Sequence, residues 1–203
     1  GVWTPEQWRG YAEVSHVAAE LNRLVVDALR AAGVSALRIQ PSASALCHDG
    51  ELRILAERPI VVALENGLTP VVYGDVSLDE VRGGTIVSTE EIFAYLAPRL
   101  RPARILLVGE VQGVLTADPA SGVSGDLVET ISPESAPGLL QALGGSRGVD
   151  VTGGMAGKVL EMLALVEAVP DLWAVHILSG LAPGLVRDAL IRDDLRAGTR
   201  IFR

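Results

Sequence analysis

The 203-residue sequence contains a single cysteine, a single lysine and few aromatic residues, which make up 4% of the chain. Because Cys47 has no second cysteine to pair with, no disulfide can form within the chain, and an oxidising compartment is not indicated. No apolar run approaches the roughly 20 residues of a membrane-spanning helix. The first residues also lack the basic and then apolar order of a signal peptide. We therefore expect a cytoplasmic globular protein without a membrane partner.

Positive charge is scarce as well. The chain has 17 Lys and Arg residues against 25 Asp and Glu residues, a formal net charge of −8. A protein that binds duplex nucleic acid needs a basic face, so this balance argues against a nucleic-acid partner. Hydrophobic residues make up 49% of the sequence, which is enough to fill a core and argues against a disordered chain.

The single lysine is Lys158, and all other residues among the 17 cationic ones are arginine. Exposed lysines can be exchanged for arginine at little cost, because surface charges contribute little to stability. A compact ammonium group is harder to replace where it must reach a phosphate. Lys158 is therefore a candidate functional residue.

Helix and strand patterns alternate along the chain. Apolar periodicity, caps and glycine or proline stops predict helices over residues 4–33, 60–64, 88–98, 132–143, 154–169 and 183–191. Shorter apolar runs predict strands over residues 35–40, 70–73, 104–108, 172–178 and 199–202. This alternation indicates an α/β domain with a largely parallel sheet and no visible domain boundary. Long glycine-rich loops are predicted over residues 75–85, 112–125 and 144–153, and ligands of such sheets bind in loops beyond the strand ends.

The richest candidate segment runs from Gly144 to Lys158. Its glycines leave backbone N–H groups uncovered, and the start of the following helix adds partial positive charge, which together favour an anion site. Lys158 is predicted in the first turn of that helix, within reach of a bound phosphate. The segment is not a P-loop, because Gly153 is too close to Gly157 and Val159 stands where that motif has Ser or Thr. The alternative is an ordinary loop followed by a capped helix with a solvated lysine.

Two further segments could contact a ligand. Ser88-Thr89-Glu90-Glu91 is a capping box that could also bind an anion, although plain helix capping is the commoner role. The segment Gly109–Val114, followed by Asp118, would suit the edge of a nucleotide, and an ordinary loop is equally consistent with it.

The histidines and the cysteine show no functional spacing. His16, His48 and His176 are isolated from one another and do not have the spacing of metal ligands, so structural roles are expected. Cys47 is expected to be a small core residue.

Taken together, these segments resemble the amino-acid kinase superfamily, and in particular its isopentenyl phosphate kinase branch. The resemblance is carried by residues 70–76, 86–92, 150–158 and 198–201. It implies a three-layer αβα sandwich with a largely parallel central sheet, with the acceptor bound over about residues 1–100 and the nucleotide over about residues 101–203. It also implies phosphoryl transfer from ATP, accompanied by Mg²⁺, to isopentenyl phosphate, and a homodimer.

The resemblance also implies roles for individual residues. The catalytic residues would be Lys158, which would hold the transferring phosphates, and Glu90. The nucleotide would be bound by Gly109, Glu110, Gly113, Asp118, Thr152, Gly153, Gly154, Met155 and Lys158. The acceptor would be bound by Tyr11, Val14, Gly74, Asp75, Val76, Ile86, Ser88 and Thr89. Among these, Tyr11, Val14, Val76 and Ile86 would cover the hydrocarbon tail. No protein metal ligands are implied, since Mg²⁺ would come with ATP.

The sequence departs from the family pattern in three places. The sequence has Ser88-Thr89-Glu90-Glu91 where the family usually has Ser-Gly-Asp-Asp, so the side chain that carries the Glu90 carboxylate is one methylene longer. Gln112 removes one acidic group from the turn at Gly109–Gly113. The sequence also begins without the Lys-Gly-Gly strand and the glycine loop that ends near a catalytic histidine, so we expect a fragment of a longer chain.

Two alternatives stay open from the sequence. Fosfomycin-resistance kinases share much of this pattern, so the acceptor could be another small acid or a phosphonate. A carboxylate acceptor would be bound better by an arginine in the pocket than by an apolar wall. A non-catalytic nucleotide-binding relative of the same fold is the second alternative.

Overall fold

A computed structural model describes residues 1–117, 125–143 and 154–203 of the chain. The chain divides into two compact units, Gly1–Leu100 and Arg101–Arg203. Among the helices in these described ranges, none is long and apolar enough to cross a bilayer.

At two of the three helices of the first unit the start is the one that local capping predicts, whereas the middle helix has no side-chain cap and begins at Arg58, two residues before its predicted start. Its helices are α1 (Pro5–Ala31), α2 (Arg58–Glu65) and α3 (Thr89–Leu100). At the start of α1 the Thr4 hydroxyl accepts from the Gln7 N–H (3.3 Å), and the Gln7 side chain accepts from the Thr4 N–H (2.9 Å). The prediction that Pro98 ends α3 is wrong, because Pro98 lies in the last turn and removes only one backbone hydrogen bond there.

The first unit contains a parallel strand pair and a four-stranded sheet. Its strands are β1 (Ala36–Arg38), β2 (Leu46–His48), β3 (Glu51–Ile54), β4 (Thr69–Val71), β5 (Asp75–Asp79) and β6 (Gly83–Val87). Strands β1 and β4 pair in parallel, and the larger sheet has the order β3-β2-β5-β6.

The predicted loop over residues 75–85 is wrong, since this segment forms the antiparallel β5–β6 hairpin. Strand β5 alternates polar and apolar residues, but its polar residues Asp75, Ser77 and Asp79 are buried while Leu78 is exposed, the reverse of the usual pattern of a half-buried strand. The glycines at positions 83 and 84 also suggest a loop, and Gly83 does take a positive φ of +74° at the turn.

The second unit is built on another four-stranded sheet. Its strands are β7 (Arg104–Gly109), β8 (Thr130–Ile131), β9 (Ala174–Ser179) and β10 (Thr199–Ile201), in the order β7-β9-β10-β8. Its helices are α4 (Ala136–Leu143), α5 (Gly154–Ala168) and α6 (Leu185–Ile191). Every residue of β9 is buried, so this predicted strand belongs to the core of the second unit.

The predicted α/β class is confirmed, but the sheet prediction needs correction. The described residues form three sheets in place of one. They contain four parallel strand pairs and three antiparallel ones. Short turns cause two of the antiparallel pairs, because a connection of a few residues between β2 and β3 or between β5 and β6 can only reverse the chain.

Each unit has its own apolar core. In the first unit the core combines Cys47, Leu55, Ile60, Val87, Ile92 and Leu96. Cys47 is fully buried there, as expected of a small core residue. In the second unit the largest fully buried side chains include Met162, Leu172, Leu178 and Ile201.

Candidate functional site

An open cavity of about 310 Å³ in the first unit is lined by residues of α1 and of the β5–β6 hairpin. The four residues predicted to cover a hydrocarbon tail all line it: Tyr11, Val14, Val76 and Ile86. The sequence places these residues up to 75 positions apart, and the fold brings them together.

Local geometry explains why these four side chains meet. Tyr11 and Val14 are three residues apart and therefore share one face of α1. Val76 and Ile86 are directly opposite partners in the β5–β6 register, so they share one face of the hairpin. Val76 is buried, whereas Val14 and Ile86 are exposed, so the cavity wall is apolar and accessible from solvent.

Asp75 lies beside this wall and is only 1% exposed. One carboxylate oxygen accepts from the Val76 N–H (2.8 Å) and from the Ser15 hydroxyl (3.4 Å), and the other accepts from the Ser42 N–H (3.1 Å). Burial, and then the proximity of Asp75, raises the pKa of Tyr73 to about 12. Asp75 therefore joins β5 to α1 and to the 3₁₀ turn Pro41–Ala43.

Sequence reasoning missed Ser15 and Ser42 as partners of Asp75. Ser15 is four residues after Tyr11 and thus on the same face of α1. That spacing was the only available signal, because the Ser42 N–H is a backbone group from a distant turn.

The start of α3 is held by the capping box predicted from the sequence. The Ser88 N–H donates to the Glu91 carboxylate (2.7 Å), and the Glu91 N–H donates to the Ser88 hydroxyl (3.1 Å). The Gly74 N–H donates to the Thr89 hydroxyl (3.1 Å). A Cβ at Gly74 would lie 3.2 Å from the Thr89 nitrogen, so the missing side chain allows this close approach. Glu90 is half-buried in the first turn of α3.

In the second unit, the carboxyl ends of β7 and β9 are tied together. The Gly180 N–H donates to the Gly109 carbonyl (2.7 Å), and the Ser179 hydroxyl donates to the Glu110 carbonyl (3.2 Å). Gly109 and Glu110 are exposed. Apart from its chain neighbours, no atom of the described residues lies within 4 Å of the point where a Cβ of Gly109 would stand, which leaves this backbone open to a ligand on that side.

Gly113 is required by a close contact with β10. A Cβ at this position would lie 2.6 Å from the Thr199 hydroxyl oxygen and 2.8 Å from Cδ1 of Leu127. The same Thr199 hydroxyl accepts from the Val114 N–H (2.8 Å) and donates to the Val128 carbonyl (2.7 Å). Thr199 belongs to a segment that carried the family resemblance, but the sequence did not predict its role in holding Gly113.

Lys158 lies near the start of α5, which begins at Gly154 as predicted. As the fifth residue of the helix it opens the second turn, so its placement in the first turn needs correction. Side chains of helical residues lean toward the helix N-terminus, so this position still directs the ammonium toward the helix start. Lys158, Gly154 and Met155 are all half-buried.

Three of the predicted nucleotide residues, Asp118, Thr152 and Gly153, lie outside the described residues. Within the described residues, no group of three or more His, Cys, Asp or Glu side chains could hold a metal ion.

Two of the histidines have structural contacts. His48 contacts Glu80 on the surface (3.1 Å), and the His176 ring forms a hydrogen bond with the Ala197 carbonyl. Burial lowers the pKa of His176.

Comparison with known proteins gives consistent matches. The model of the amino acid kinase family matches residues 4–173. The isopentenyl phosphate kinase of Methanothermobacter thermautotrophicus is 36% identical over 194 residues, covering 95% of this chain and 70% of the relative. That of Haloferax volcanii is 40% identical over 159 residues, covering 77% of this chain and 60% of the relative. A solved isopentenyl phosphate kinase structure superposes with a TM-score of 0.79 at 32% identity, covering 98% of this chain and 74% of that one.

Proposed function

Because the chain belongs to the amino acid kinase family, we propose that it transfers a phosphoryl group from ATP to isopentenyl phosphate, which yields isopentenyl diphosphate and ADP. The relatives named above are isopentenyl phosphate kinases. The observation that carries the proposal is the cavity whose wall contains Tyr11, Val14, Val76 and Ile86.

The acceptor would bind with its hydrocarbon tail against this apolar wall. Each CH₂ group removed from water contributes up to about 0.8 kcal/mol, so a five-carbon tail can supply much of the binding free energy. We place the acceptor phosphate near Gly74, Ser88, Thr89 and Glu90, where the start of α3 adds partial positive charge. Asp75 would act by positioning α1 and β5, because its oxygens already accept three hydrogen bonds.

The nucleotide would bind to the second unit. The open backbone at Gly109, together with Glu110 and Gly113, would face adenine and ribose, joined by Asp118. The start of α5 would face the phosphates through Gly154, Met155 and Lys158, joined by Thr152 and Gly153. Neither Gly109 nor Gly157 has an atom within 4 Å of a Cβ position, so the described residues fit a ligand that approaches the backbone closely.

Phosphoryl transfer depends mainly on positioning and on charge stabilisation. In this proposal Lys158 holds the transferring phosphates, and Glu90 lies beside the acceptor phosphate. Mg²⁺ would arrive with ATP and be held by its phosphates. If the acceptor and the nucleotide bind as proposed, the first unit is the acceptor lobe and the second unit is the nucleotide lobe. The three-layer sandwich and the homodimer stay predictions.

An acceptor with a carboxylate or phosphonate tail is the second candidate, because Arg82 also lines the cavity. The Arg82 guanidinium, however, is paired with the Asp49 carboxylate (2.9 Å). It also covers Gly50, where a Cβ would fall within contact distance of its Nη and Cζ atoms. Because this charge is already engaged, the cavity favours an apolar tail.

The proposal is tested by an ADP-release assay of the purified full-length protein with ATP, Mg²⁺ and isopentenyl phosphate, with fosfomycin as the competing acceptor. We expect isopentenyl diphosphate as the product by mass spectrometry. We also expect kcat/KM to be about a hundredfold higher for isopentenyl phosphate than for fosfomycin, as a matched apolar pocket can provide. Turnover of fosfomycin alone, or ATP hydrolysis without a phosphorylated acceptor, would contradict the assignment.

A further inference from the structure

Gly84 occupies a crowded position on β6. It is buried and pairs with Leu78 across the hairpin. A Cβ at this position would lie 3.0 Å from Cδ2 and Cε2 of Tyr11 and 3.0 Å from Cγ2 of Val2. Such distances are shorter than ordinary van der Waals contact, so a methyl group fits only if a neighbour moves.

The glycine at position 84 is required for space and not for backbone conformation. Gly83, next to it, has a φ of +74° that disfavours other residues. The φ of Gly84 is not positive, so its backbone can accept alanine without strain. Any effect of a methyl group at position 84 therefore acts through the side chains it meets.

A methyl group would meet the Tyr11 ring and Val2 at the same distance, and Tyr11 is the larger of the two side chains. The Tyr11 ring also makes an edge contact with the Trp8 ring, with 5.4 Å between centroids and an interplanar angle of 65°. Tyr11, Val2 and Gly84 all line the same cavity. A methyl group at Gly84 would thus displace a ring that also contacts Trp8.

We propose that Gly84 is a specificity-determining position, because its missing side chain lets the Tyr11 ring lie against β6 and so sets the space left for the acceptor tail. The inference rests on the proposed function, since it concerns the tail of the same alkyl phosphate acceptor. Gly84 acts through Tyr11 and does not itself contact the reacting atoms, which makes it a positioning residue.

The test is calorimetric binding of a series of alkyl monophosphates, from methyl through isopentenyl to geranyl phosphate, without ATP. For Gly84→Ala we expect the affinity for isopentenyl phosphate to fall about fivefold, which corresponds to one or two lost CH₂ contacts. The affinity for methyl phosphate should stay unchanged, because it reports only the phosphate end. Gly10→Ala is the matched control: Gly10 lies on α1 next to Tyr11, and a Cβ there meets no atom within 4 Å.

A rescue variant separates this role from simple destabilisation. In the double variant Gly84→Ala/Tyr11→Leu the Tyr11 ring is gone while Val2 stays in place. If the methyl group acts through the ring, isopentenyl phosphate affinity should recover toward that of Tyr11→Leu alone. Three results would overturn the inference: unchanged affinities in Gly84→Ala, equal weakening for methyl and isopentenyl phosphate, or no recovery in the double variant.

The binding series also separates this inference from the proposed function. If the protein binds longer alkyl phosphates more tightly but does not phosphorylate isopentenyl phosphate, the proposed function fails. The effect of Gly84→Ala on these affinities still tests the role of Gly84. If the unsubstituted protein binds methyl and isopentenyl phosphate equally, no tail site exists and the inference fails.

Discussion

Lys158 is the only lysine among the 17 cationic residues, and it opens the second turn of α5. If it holds the transferring phosphates, Lys158→Ala should lower kcat by about a hundredfold or more, as the loss of one preorganised charge contact does. Lys158→Arg should also be impaired, because a planar guanidinium does not replace a compact ammonium. Steady-state kinetics of both variants check this expectation.

The matched control for Lys158 is Arg187→Ala, which removes an exposed cation from α6 in the same unit. Its kinetics should stay within about threefold of the unsubstituted protein, since isolated surface charges matter little. A Lys158→Ala variant that behaves like this control would remove Lys158 from the catalytic residues.

Asp79 is a buried carboxylate that organises two turns. It accepts from the N–H groups of Asp49 (3.2 Å), Gly50 (2.7 Å), Val81 (2.8 Å) and Arg82 (2.7 Å). Burial alone would raise its pKa, but these hydrogen bonds outweigh burial and lower the pKa to about 2. The ionised form is therefore the one that the fold stabilises.

This low pKa predicts a loss of stability in acid. A carboxyl group whose pKa falls on folding stabilises the protein fully above its unfolded pKa of about 4. That contribution is lost as the pH falls from about 4 toward the folded pKa of about 2. In urea unfolding, Asp79→Asn should be less stable than the unsubstituted protein at neutral pH, and the difference should shrink over this range.

Glu80→Gln is the control for Asp79→Asn, because it removes the neighbouring carboxylate. Glu80 is exposed and contacts the His48 ring on the surface. Its unfolding midpoint should stay close to that of the unsubstituted protein. A stability difference for Asp79→Asn that is constant from neutral pH to about pH 2 would contradict the assignment.

At the scale of secondary-structure elements, Thr199 connects β10 to the segments around Val114 and Val128. Its hydroxyl accepts from the buried Val114 N–H and donates to the Val128 carbonyl. Thr199→Val keeps the shape but leaves the Val114 N–H and the Val128 carbonyl without this partner, so the free energy of unfolding should fall by about 1–3 kcal/mol. Thr199→Ser should retain most of the stability, which denaturant unfolding can measure.

Thr199→Val should also weaken nucleotide binding more than acceptor binding. Gly113 packs directly against the Thr199 hydroxyl, and Gly113 is a proposed nucleotide residue. We therefore expect Thr199→Val to raise KM for ATP while KM for isopentenyl phosphate stays unchanged. Thr130→Val, at an exposed position on neighbouring β8, should change neither quantity. An equal rise in both KM values for Thr199→Val would contradict the specific role.

At the scale of the whole molecule, the predicted family is confirmed by relatives that cover most of the chain. The motifs that carried the resemblance are short, but they occur in order along the chain. The chain divides into two units at Leu100 and Arg101, and the proposed site draws on both, since the cavity lies in the first unit and Lys158 in the second. Whether the units act as acceptor and nucleotide lobes stays a prediction for the kinetic experiments.

The sequence by itself determined the features that depend on neighbouring residues. The capping boxes at Thr4 and Ser88 predicted the starts of α1 and α3, and the apolar run over residues 104–108 predicted β7. Such features involve residues three or four positions apart, so their chemistry is visible in a short window of sequence.

Only the tertiary structure decided the β5–β6 hairpin and the surroundings of the cavity. Asp75 and Asp79 are polar residues in a strand, and they are stable there because backbone N–H groups about 30 positions away, at Ser42, Asp49 and Gly50, pair with them. The need for glycine at position 84 likewise depends on the Tyr11 ring of a distant helix. The free-energy cost of burying a carboxylate or of leaving out a side chain is offset by groups far along the chain, so no local pattern could predict either feature.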